Sequence, residues 1–242
     1  MLHIFKDANE VSHQLAEFIT SQIEATLQTQ DRFTWVLTGG NSPKQLYELL
    51  AQSPYRERIQ WNKLHFFWGD ERAVPFDDSR NNARMTFEAL LNHVPVNKEQ
   101  IHIMQTDISA EASAEAYAKL LHDYFPSGNT TFDLVLNGMG DDAHTLSLFP
   151  GSPAIAVNDK WTTSFWLEAQ QMYRITLTAP VVNLAKHVVF LTFGANKANA
   201  LKQVLEGDRN VELYPSQLIQ PLSGELHWFV DEAAAAQLTK KQ

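Results

Sequence analysis

The chain alternates short apolar segments with helical segments, and this alternation restricts the folds that it can adopt. Four apolar segments, rich in β-branched and aromatic residues, cover residues 33–37, 64–68, 132–136 and 188–193. Three of them lead through a turn or loop to a helical pattern, over 45–50, 82–91 and 197–206. Strands that are apolar along their whole length are typical of a parallel sheet covered on both faces. The sequence therefore predicts an α/β fold with an open, mostly parallel sheet and helices on both faces.

Further elements follow from the spacing of apolar residues. Helical spacing covers residues 112–124 and also 7–28, where Asp7 is the expected N-cap. The remaining predicted elements are a strand over 226–230, a helix over 231–238, and two strands, 160–167 and 173–177, that pair near one edge of the sheet. No internal repeat, low-complexity segment or linker rich in proline or glycine interrupts the chain. We therefore predict a single domain over residues 1–242.

Composition and charge exclude several classes of function. With 242 residues, 44% of them hydrophobic, the chain can bury a full core. A net charge of −9 without a basic tract argues against nucleic acid or an anionic membrane as the main partner. The absence of cysteine excludes disulfides, a thiolate nucleophile and cysteine-based metal sites. Because no apolar run approaches the length of a membrane span, the expected compartment is the cytoplasm.

A glycine-rich loop with a histidine directly follows the apolar segment 132–136. It reads Gly-Met-Gly-Asp-Asp-Ala-His-Thr over residues 138–145. Open α/β sheets place their chemistry where strands end, so His144 is the candidate general base. Asp142 is close enough to fix the tautomer of the imidazole, although the sequence leaves open whether Asp141 or Asp142 faces it. The alternative is a histidine held by loop hydrogen bonds without a catalytic task.

Two other chemistries lack their sequence motifs. No HExxH motif or comparable ligand spacing indicates a metal site, and His65, His93 and His102 are expected to be structural or solvated. No Gly-x-Ser-x-Gly elbow indicates a serine hydrolase.

A second turn has the composition of a phosphate-binding loop. Residues 38–44 read Thr-Gly-Gly-Asn-Ser-Pro-Lys and join a predicted strand to a predicted helix. Gly39 and Gly40 let the backbone approach a ligand, and the helix N-terminus offers free N–H groups and the positive end of its dipole to a phosphate. The alternative is a tight turn without a ligand. The stretch is neither the dinucleotide fingerprint nor a Walker motif, which argues against a nucleotide enzyme.

Charged residues stand at further strand ends. Asp70, Glu71 and Arg72 follow the segment 64–68, where they form either a local ion pair or, through Arg72, a clamp for an anion. Lys197 opens a predicted helix, where a cation opposes the dipole unless an anion compensates it. Arg174 is a weaker candidate of the same kind, and the sequence favours a surface charge that flanks a strand.

Taken in order, four parts of the chain resemble the 6-phosphogluconolactonase family, within the broader Rossmann-like fold of the glucosamine-6-phosphate deaminases. They are LTGGNSP at 37–43, GDER at 69–72, DLVLNGMGDDAHT at 133–145 with FP at 149–150, and RITLT at 174–178 with GANK at 194–197. The resemblance implies hydrolysis of 6-phospho-D-glucono-1,5-lactone in the oxidative pentose phosphate pathway, without a metal or an organic cofactor. His144 would then be the base that activates water, and Asp142 would orient it. The implied substrate-binding residues are Gly39, Gly40, Ser42, Asp70, Arg72, Arg174 and Lys197.

The chain departs from the family pattern in its histidine loop. The family usually has glycine between the aspartate and the histidine, whereas this chain has Ala143. If that position needs a positive φ, alanine is strained by about 1 kcal/mol or more, so we expect tuning of the loop without loss of activity. Residues 79–82, Ser-Arg-Asn-Asn, also match the family more loosely.

Two rival functions are compatible with the same fold. Amino-sugar phosphate deaminases or isomerases resemble this chain in both loops, but they carry a glutamate shortly after the histidine, and residues 145–149 contain no carboxylate. A sugar-phosphate sensor would need an attached DNA-binding domain or a degraded site. The expected partner is therefore a small sugar-phosphate lactone, and the sequence leaves the choice between monomer and dimer open.

Overall fold

A computed structural model describes residues 1–239 and contains a seven-stranded sheet in which all neighbouring strands are parallel. The strands of the protein are β1 Leu2–Phe5, β2 Phe33–Leu37, β3 Leu64–Trp68, β4 Asp70–Arg72, β5 Ile101–His102, β6 Leu134–Gly138, β7 Thr162–Leu167, β8 Met172–Leu177, β9 His187–Thr192 and β10 Glu225–Asp231. The strand order of the parallel sheet is β1-β10-β9-β6-β2-β3-β5, and a separate three-stranded antiparallel sheet has the order β4-β8-β7. The helices are α1 Ala8–Thr26, α2 Asn41–Leu50, α3 Tyr55–Arg58, α4 Asn82–Ala89, α5 Ala110–Tyr124, α6 Ala179–Val182 and α7 Ala198–Glu206.

Apolar side chains cover both faces of the central strands. Along β2, Trp35 packs into one apolar cluster and Val36 into the other. The first cluster takes in the buried sides of α1, α2 and α4, and the second takes in those of α5 and α7. Successive side chains of a strand point to opposite faces, so a strand between two such clusters must be apolar throughout. The predicted fold class is confirmed in this respect.

Helix α1 illustrates why the helical predictions succeed. Asp7 caps its N-terminus, because its carboxylate accepts a hydrogen bond from the backbone N–H of Glu10 at 3.0 Å. Val11, Leu15 and Ile19 lie on one stripe and are fully buried. The predicted range 7–28 thus contains the observed helix.

The small sheet differs from its prediction. Segments 160–167 and 173–177 do form an antiparallel pair, as β7 and β8, but β8 pairs with β4 and not with an edge of the main sheet. Gly69 causes the separation, since its N–H donates to Leu37 in the main sheet while its carbonyl accepts from Leu177 in the small sheet. A single residue therefore redirects the chain between two sheets.

Other differences concern short elements. Strands β1 and β5 have four and two residues and were not predicted. The predicted helix 231–238 is only a 3₁₀ turn over Ala234–Gln237, because the backbone is extended at Leu238 and the N–H of Thr239 donates to the side chain of Glu206. Helix α2 begins at Asn41, earlier than predicted, and a 3₁₀ turn at Ala195–Lys197 precedes α7. Within residues 1–239, no helix combines the length and apolarity that crossing a bilayer requires.

Candidate active site

The carboxyl ends of the parallel strands surround a cavity of about 310 Å³. Eight of the nine residues singled out from the sequence line it: Gly39, Gly40, Ser42, Asp70, Arg72, His144, Arg174 and Lys197. The ninth, Asp142, contacts His144. Three larger grooves, of about 900, 740 and 420 Å³, contain none of the nine. The chemistry-bearing residues therefore converge on one cavity, at the sheet edge where open α/β folds bind ligands.

His144 and Asp142 form a hydrogen-bonded pair at the mouth of this cavity. Nδ1 of His144 lies 2.5 Å from Oδ1 of Asp142, and the same oxygen accepts the backbone N–H of His144 at 3.1 Å. Burial acts to raise the pKa of Asp142, but the hydrogen bonds and charge of His144 outweigh it, and the pKa lies below its usual value. Asp142, not Asp141, is the partner that the sequence left undecided.

The pairing leaves one imidazole nitrogen available. Nε2 of His144 forms no hydrogen bond with any residue in the described range 1–239. The ring stacks on Phe149, with centroids 4.2 Å apart, and this contact together with Asp142 fixes its orientation. A histidine held in this way has the arrangement of a general base, with one nitrogen anchored and the other free to take a proton.

Ala143 adopts the strained conformation that its family position suggested. Its φ is 63°, in the left-handed region, and its side chain is fully buried. The carbonyl accepts two hydrogen bonds from Ser216, from the backbone N–H at 3.0 Å and from the hydroxyl at 2.8 Å. Gly140 precedes it, and a Cβ there would lie 2.2 Å from Nδ1 of His144. The loop therefore keeps its shape around an alanine, held from outside by Ser216.

The second glycine turn ends in the N-terminus of α2. Gly40 has a φ of 100° and precedes the helix, which has no side-chain cap. Gly39 is needed for another reason, since a Cβ there would lie 1.8 Å from Oδ1 of Asn82. The N–H groups of Gly40, Asn41 and Ser42 lack intrahelical partners, because an α-helix leaves its first donors free. These donors form an anion-binding geometry beside the cavity.

Tyr47 holds this turn in place, and sequence reasoning missed it. Its buried hydroxyl accepts the N–H of Thr38 at 2.9 Å and donates to the carbonyl of the same residue at 2.9 Å. Burial raises the pKa of Tyr47 well above its usual range, so the hydroxyl keeps its proton. The sequence signal for this role is the position of Tyr47, four residues after the proline of the Ser-Pro pair that begins the helix.

Arg72 and Lys197 bring positive charge to the cavity. Neither forms an ion pair with another residue in the described part of the chain, 1–239. Arg72 donates from Nη1 to the carbonyl of Arg80 at 2.8 Å, and its buried Nε has no partner within the same range. Lys197 ends the 3₁₀ turn that leads into α7. Two unpaired cations beside free helix donors favour an anionic ligand.

Arg174 corrects the expectation of a surface charge. Its side chain is 2% exposed and donates to Asp70 at 2.6 Å, to the hydroxyl of Ser147 at 2.9 Å and to Gln170 at 2.9 Å. The hydroxyl of Ser147 in turn donates to Asp70 at 2.7 Å. Burial acts to raise the pKa of Asp70, but the charges of Arg174 and Arg72 hold it below its usual value. The pair therefore ties the loop after His144 to strands β4 and β8 of the small sheet.

Glu71 is a second buried carboxylate that sequence reasoning did not assign. It accepts the backbone N–H groups of Arg72, Asn82 and Ala83 at 2.7–2.9 Å and so closes the N-terminus of α4. Burial raises its pKa to about 7, against these hydrogen bonds. The local ion pair considered for 70–72 is absent from the described residues, since Asp70 pairs with Arg174 and Glu71 binds backbone.

The family described as glucosamine-6-phosphate isomerases/6-phosphogluconolactonase matches residues 6–228. The chain belongs to this family. A 6-phosphogluconolactonase from Nostoc sp. is 39% identical over 242 residues, which cover 98% of this chain and 98% of the relative. The solved structure of 6-phosphogluconolactonase from Trypanosoma cruzi is 28% identical, with a TM-score of 0.87, and covers 99% of this chain and 97% of that one. The resemblance inferred from the four motifs is confirmed.

The fold is shared across both branches of the family name. A monomeric glucosamine-6-phosphate deaminase is 19% identical with a TM-score of 0.84, over 98% of this chain and 99% of that one, and so shows the fold alone. The predicted glucosamine-6-phosphate deaminase-like fold is confirmed. Assignment to one branch has to rest on the higher identity to the lactonases and on the residues of the cavity.

Proposed function

We propose that this chain hydrolyses 6-phospho-D-glucono-1,5-lactone to 6-phosphogluconate, the second step of the oxidative pentose phosphate pathway, in the cytoplasm. One observation carries the proposal: the free nitrogen of the His144–Asp142 pair opens onto the same cavity as the α2 N-terminus, Arg72 and Lys197. A base and an anion site in one cavity suit a substrate that has both an electrophilic carbonyl and a phosphate. The relatives named 6-phosphogluconolactonase support the same substrate.

His144 acts as the general base in the proposed reaction. Nε2 accepts a proton from water, and the oxygen of that water attacks the lactone carbonyl to give a tetrahedral oxyanion. The bond between the carbonyl carbon and the ring oxygen then breaks, and the proton held by His144 passes to the departing oxygen, which becomes a hydroxyl. Asp142 stabilises the transient imidazolium through Nδ1. The net change is addition of one water, without a covalent intermediate on the protein.

The positively charged side of the cavity binds the phosphate and stabilises the negative charge that develops on the carbonyl oxygen. The N–H groups of Gly40, Asn41 and Ser42 are oriented by α2, and Arg72 and Lys197 add full charges. We assign Arg174 and Asp70 a positioning role, because their polar groups are already bound to one another and to Ser147. A lactone is an activated ester, so a positioned base worth about 10²–10⁴-fold, with this electrostatic support, suffices.

The rival deaminase or isomerase reaction needs a second carboxylate near the base. Residues 145–149 read Thr-Leu-Ser-Leu-Phe and supply none. Asp70 is the carboxylate that lines the cavity, but it is buried and bound to Arg174 and to the hydroxyl of Ser147. Glu71, next to it on β4, is buried and bound to backbone N–H groups. The cavity therefore favours water attack on a lactone over proton transfer on an amino sugar.

The test is the disappearance of freshly generated 6-phosphogluconolactone in the presence of purified protein. The product is coupled to 6-phosphogluconate dehydrogenase, and a sample without protein corrects for spontaneous hydrolysis. We expect acceleration with the lactone and no ammonia release from glucosamine 6-phosphate. Ammonia release without lactone hydrolysis would assign the chain to the deaminase branch and overturn the proposal.

A further inference from the structure

A second cluster of chemistry-bearing side chains lies at the opposite end of the main sheet. His187 begins β9, and Glu225 begins β10 directly beside it in the parallel register. His227 is two residues further along β10 and so shares the face of Glu225. Since a strand advances about 3.3 Å per residue, the six residues of β9 separate this cluster from the cavity edge by roughly 17–20 Å. It is therefore not part of the candidate active site.

The three ligand atoms have the spacing of a metal site. Oε2 of Glu225 lies 3.1 Å from Nε2 of His227 and 3.4 Å from Nδ1 of His187, and all three atoms lie within 4.8 Å of one another. Two ligands held about 2.0–2.1 Å from a tetrahedral ion are separated by about 3.3–3.4 Å. Both distances to Glu225 match that separation. Within residues 1–239 this is the one group of three such side chains.

One ligand atom is left without a hydrogen bond. Nδ1 of His187 is buried and, among residues 1–239, has no partner in hydrogen-bonding geometry, although Glu225 approaches it at 3.4 Å. A buried imidazole nitrogen that faces a carboxylate at 3.4 Å without a hydrogen bond is placed to coordinate a cation beside that carboxylate.

Neighbouring side chains contact the two histidines and fix their orientation. Nδ1 of His227 lies 3.2 Å from Nε2 of His3 on β1, an outer contact that would fix the tautomer with Nε2 free for a metal. The ring of Phe18 packs against the rings of His227 and His187, with centroids 4.7 Å and 6.1 Å apart. Two cations are near: the ammonium of Lys186 is bound to Asp133 at 2.7 Å, and that of Met1 donates to the carbonyl of Leu226. Lys186 is thus neutralised locally.

We propose that His187, Glu225 and His227 bind a single divalent transition-metal ion of the Zn²⁺ class, with the remaining position open to water. Two imidazoles and one carboxylate suit Zn²⁺, whereas Ca²⁺ and Mg²⁺ prefer oxygen ligands. The ion joins β9 to β10 at their amino ends and has a structural role. No sequence motif marks it, because strand pairing brings His187 beside Glu225, and these residues are far apart along the chain.

The test is calorimetric titration of ZnCl₂ into chelator-treated protein without substrate. We expect one Zn²⁺ per chain and an increase in Tm on binding. Glu225→Gln, at a residue that is 54% exposed, keeps the fold and should weaken binding by about tenfold or more. The matched control Glu115→Gln, at an exposed position on α5, should bind Zn²⁺ like the unaltered chain.

Two further variants exclude other sites. His187→Gln should weaken binding as Glu225→Gln does, whereas His144→Ala should leave Zn²⁺ affinity unchanged. Lack of binding by the unaltered chain, or binding that survives Glu225→Gln and disappears in His144→Ala, would overturn the proposal. The proposed hydrolysis is a separate matter, because Glu225→Gln should keep the full rate of lactone hydrolysis whatever its affinity for Zn²⁺.

Discussion

At the scale of single residues, the proposed chemistry depends on how Asp142, Ala143 and His144 share one short loop. Asp142 anchors one imidazole nitrogen, and the left-handed Ala143 turns the chain so that His144 faces the cavity. The sequence predicts the base and its carboxylate because both belong to a recognisable motif. The sequence does not decide whether Asp141 or Asp142 contacts His144, because that depends on the backbone conformation of the loop.

Ala143→Gly tests the strain in this loop. Glycine relieves a left-handed φ worth about 1–2 kcal/mol, while loss of the buried methyl group and added chain freedom oppose this gain. The matched control Ala114→Gly removes a buried methyl group from a helix without any relief of strain. We measure the free energy of unfolding in urea for both variants. The decrease caused by Ala143→Gly should be smaller than the decrease caused by Ala114→Gly by at least about 1 kcal/mol. Equal losses would show that Ala143 is not strained.

Arg72→Ala and Lys197→Ala test recognition of the phosphate. Each removes a charge-assisted contact worth about 1.5–3 kcal/mol, so the KM for the phosphorylated lactone should rise roughly 10- to 100-fold. The KM for unphosphorylated gluconolactone should change much less. Lys119→Ala, on the exposed side of α5, is the control. Equal losses on both substrates would argue against contact between these cations and the phosphate.

At the scale of elements, the buried pair Arg174–Asp70 joins the small sheet to the loop after His144. The spacing of apolar residues predicts β7 and β8, but not that β4 makes them a separate sheet, because that rearrangement depends on hydrogen bonds to Gly69. For the same reason the sequence predicts that Arg174 is a surface charge. Its burial follows from a partner, Asp70, that lies 104 positions away.

Arg174→Met should be strongly destabilising. It leaves Asp70 buried without its cation, at a cost of about 3–5 kcal/mol in the free energy of unfolding. Adding Asp70→Asn to the same chain should restore part of that loss, because the uncompensated charge is then gone. The control Lys44→Met breaks an exposed ion pair with Glu48 and should cost less than about 1 kcal/mol. Similar losses for both arginine and lysine variants in urea unfolding would contradict a structural role for the buried pair.

At the scale of the whole molecule, the two ends of the parallel sheet hold different groups of polar side chains. Glycine turns, free helix donors and the His144–Asp142 pair gather at the carboxyl ends, and the histidine cluster of β9 and β10 lies at the amino ends. The sequence predicts the first group because parallel strands must end on one side. It does not predict the second, because no local pattern states which strands are neighbours. The prediction of a single domain over 1–242 stays a prediction.

Protonation of the half-buried His102 should lower the stability of the fold in acid. Burial lowers the pKa of His102 to about 4, and the charges of His65 and Arg32 act in the same direction. Its other polar neighbour is the hydroxyl of Tyr124 at 2.7 Å. The pKa of His102 is 6.5 in the unfolded chain and about 4 in the folded chain, so the unfolded chain binds more protons between these pH values. The contribution of neutral His102 to the free energy of unfolding is therefore complete above pH 6.5 and is lost as the pH falls to 4.

His102→Gln should therefore reduce the pH dependence of the free energy of unfolding between pH 6.5 and 4. Glutamine keeps a polar group for Tyr124 but does not titrate in this range. Urea unfolding at several pH values measures the slope for both chains. His13→Gln, at an exposed position on α1, should leave the slope unchanged. Identical slopes for His102→Gln and the unaltered chain would rule out this contribution.

The central claim is that His144 activates water for attack on a sugar-phosphate lactone. The most direct measurement compares the hydrolysis of freshly generated 6-phosphogluconolactone by the unaltered chain, by His144→Ala and by His13→Ala, each corrected for the spontaneous rate. We expect kcat to fall by about 10²–10⁴-fold in His144→Ala, with the fold intact by circular dichroism, and to be unchanged in His13→Ala. A kcat near that of the unaltered chain in His144→Ala would contradict the proposed mechanism.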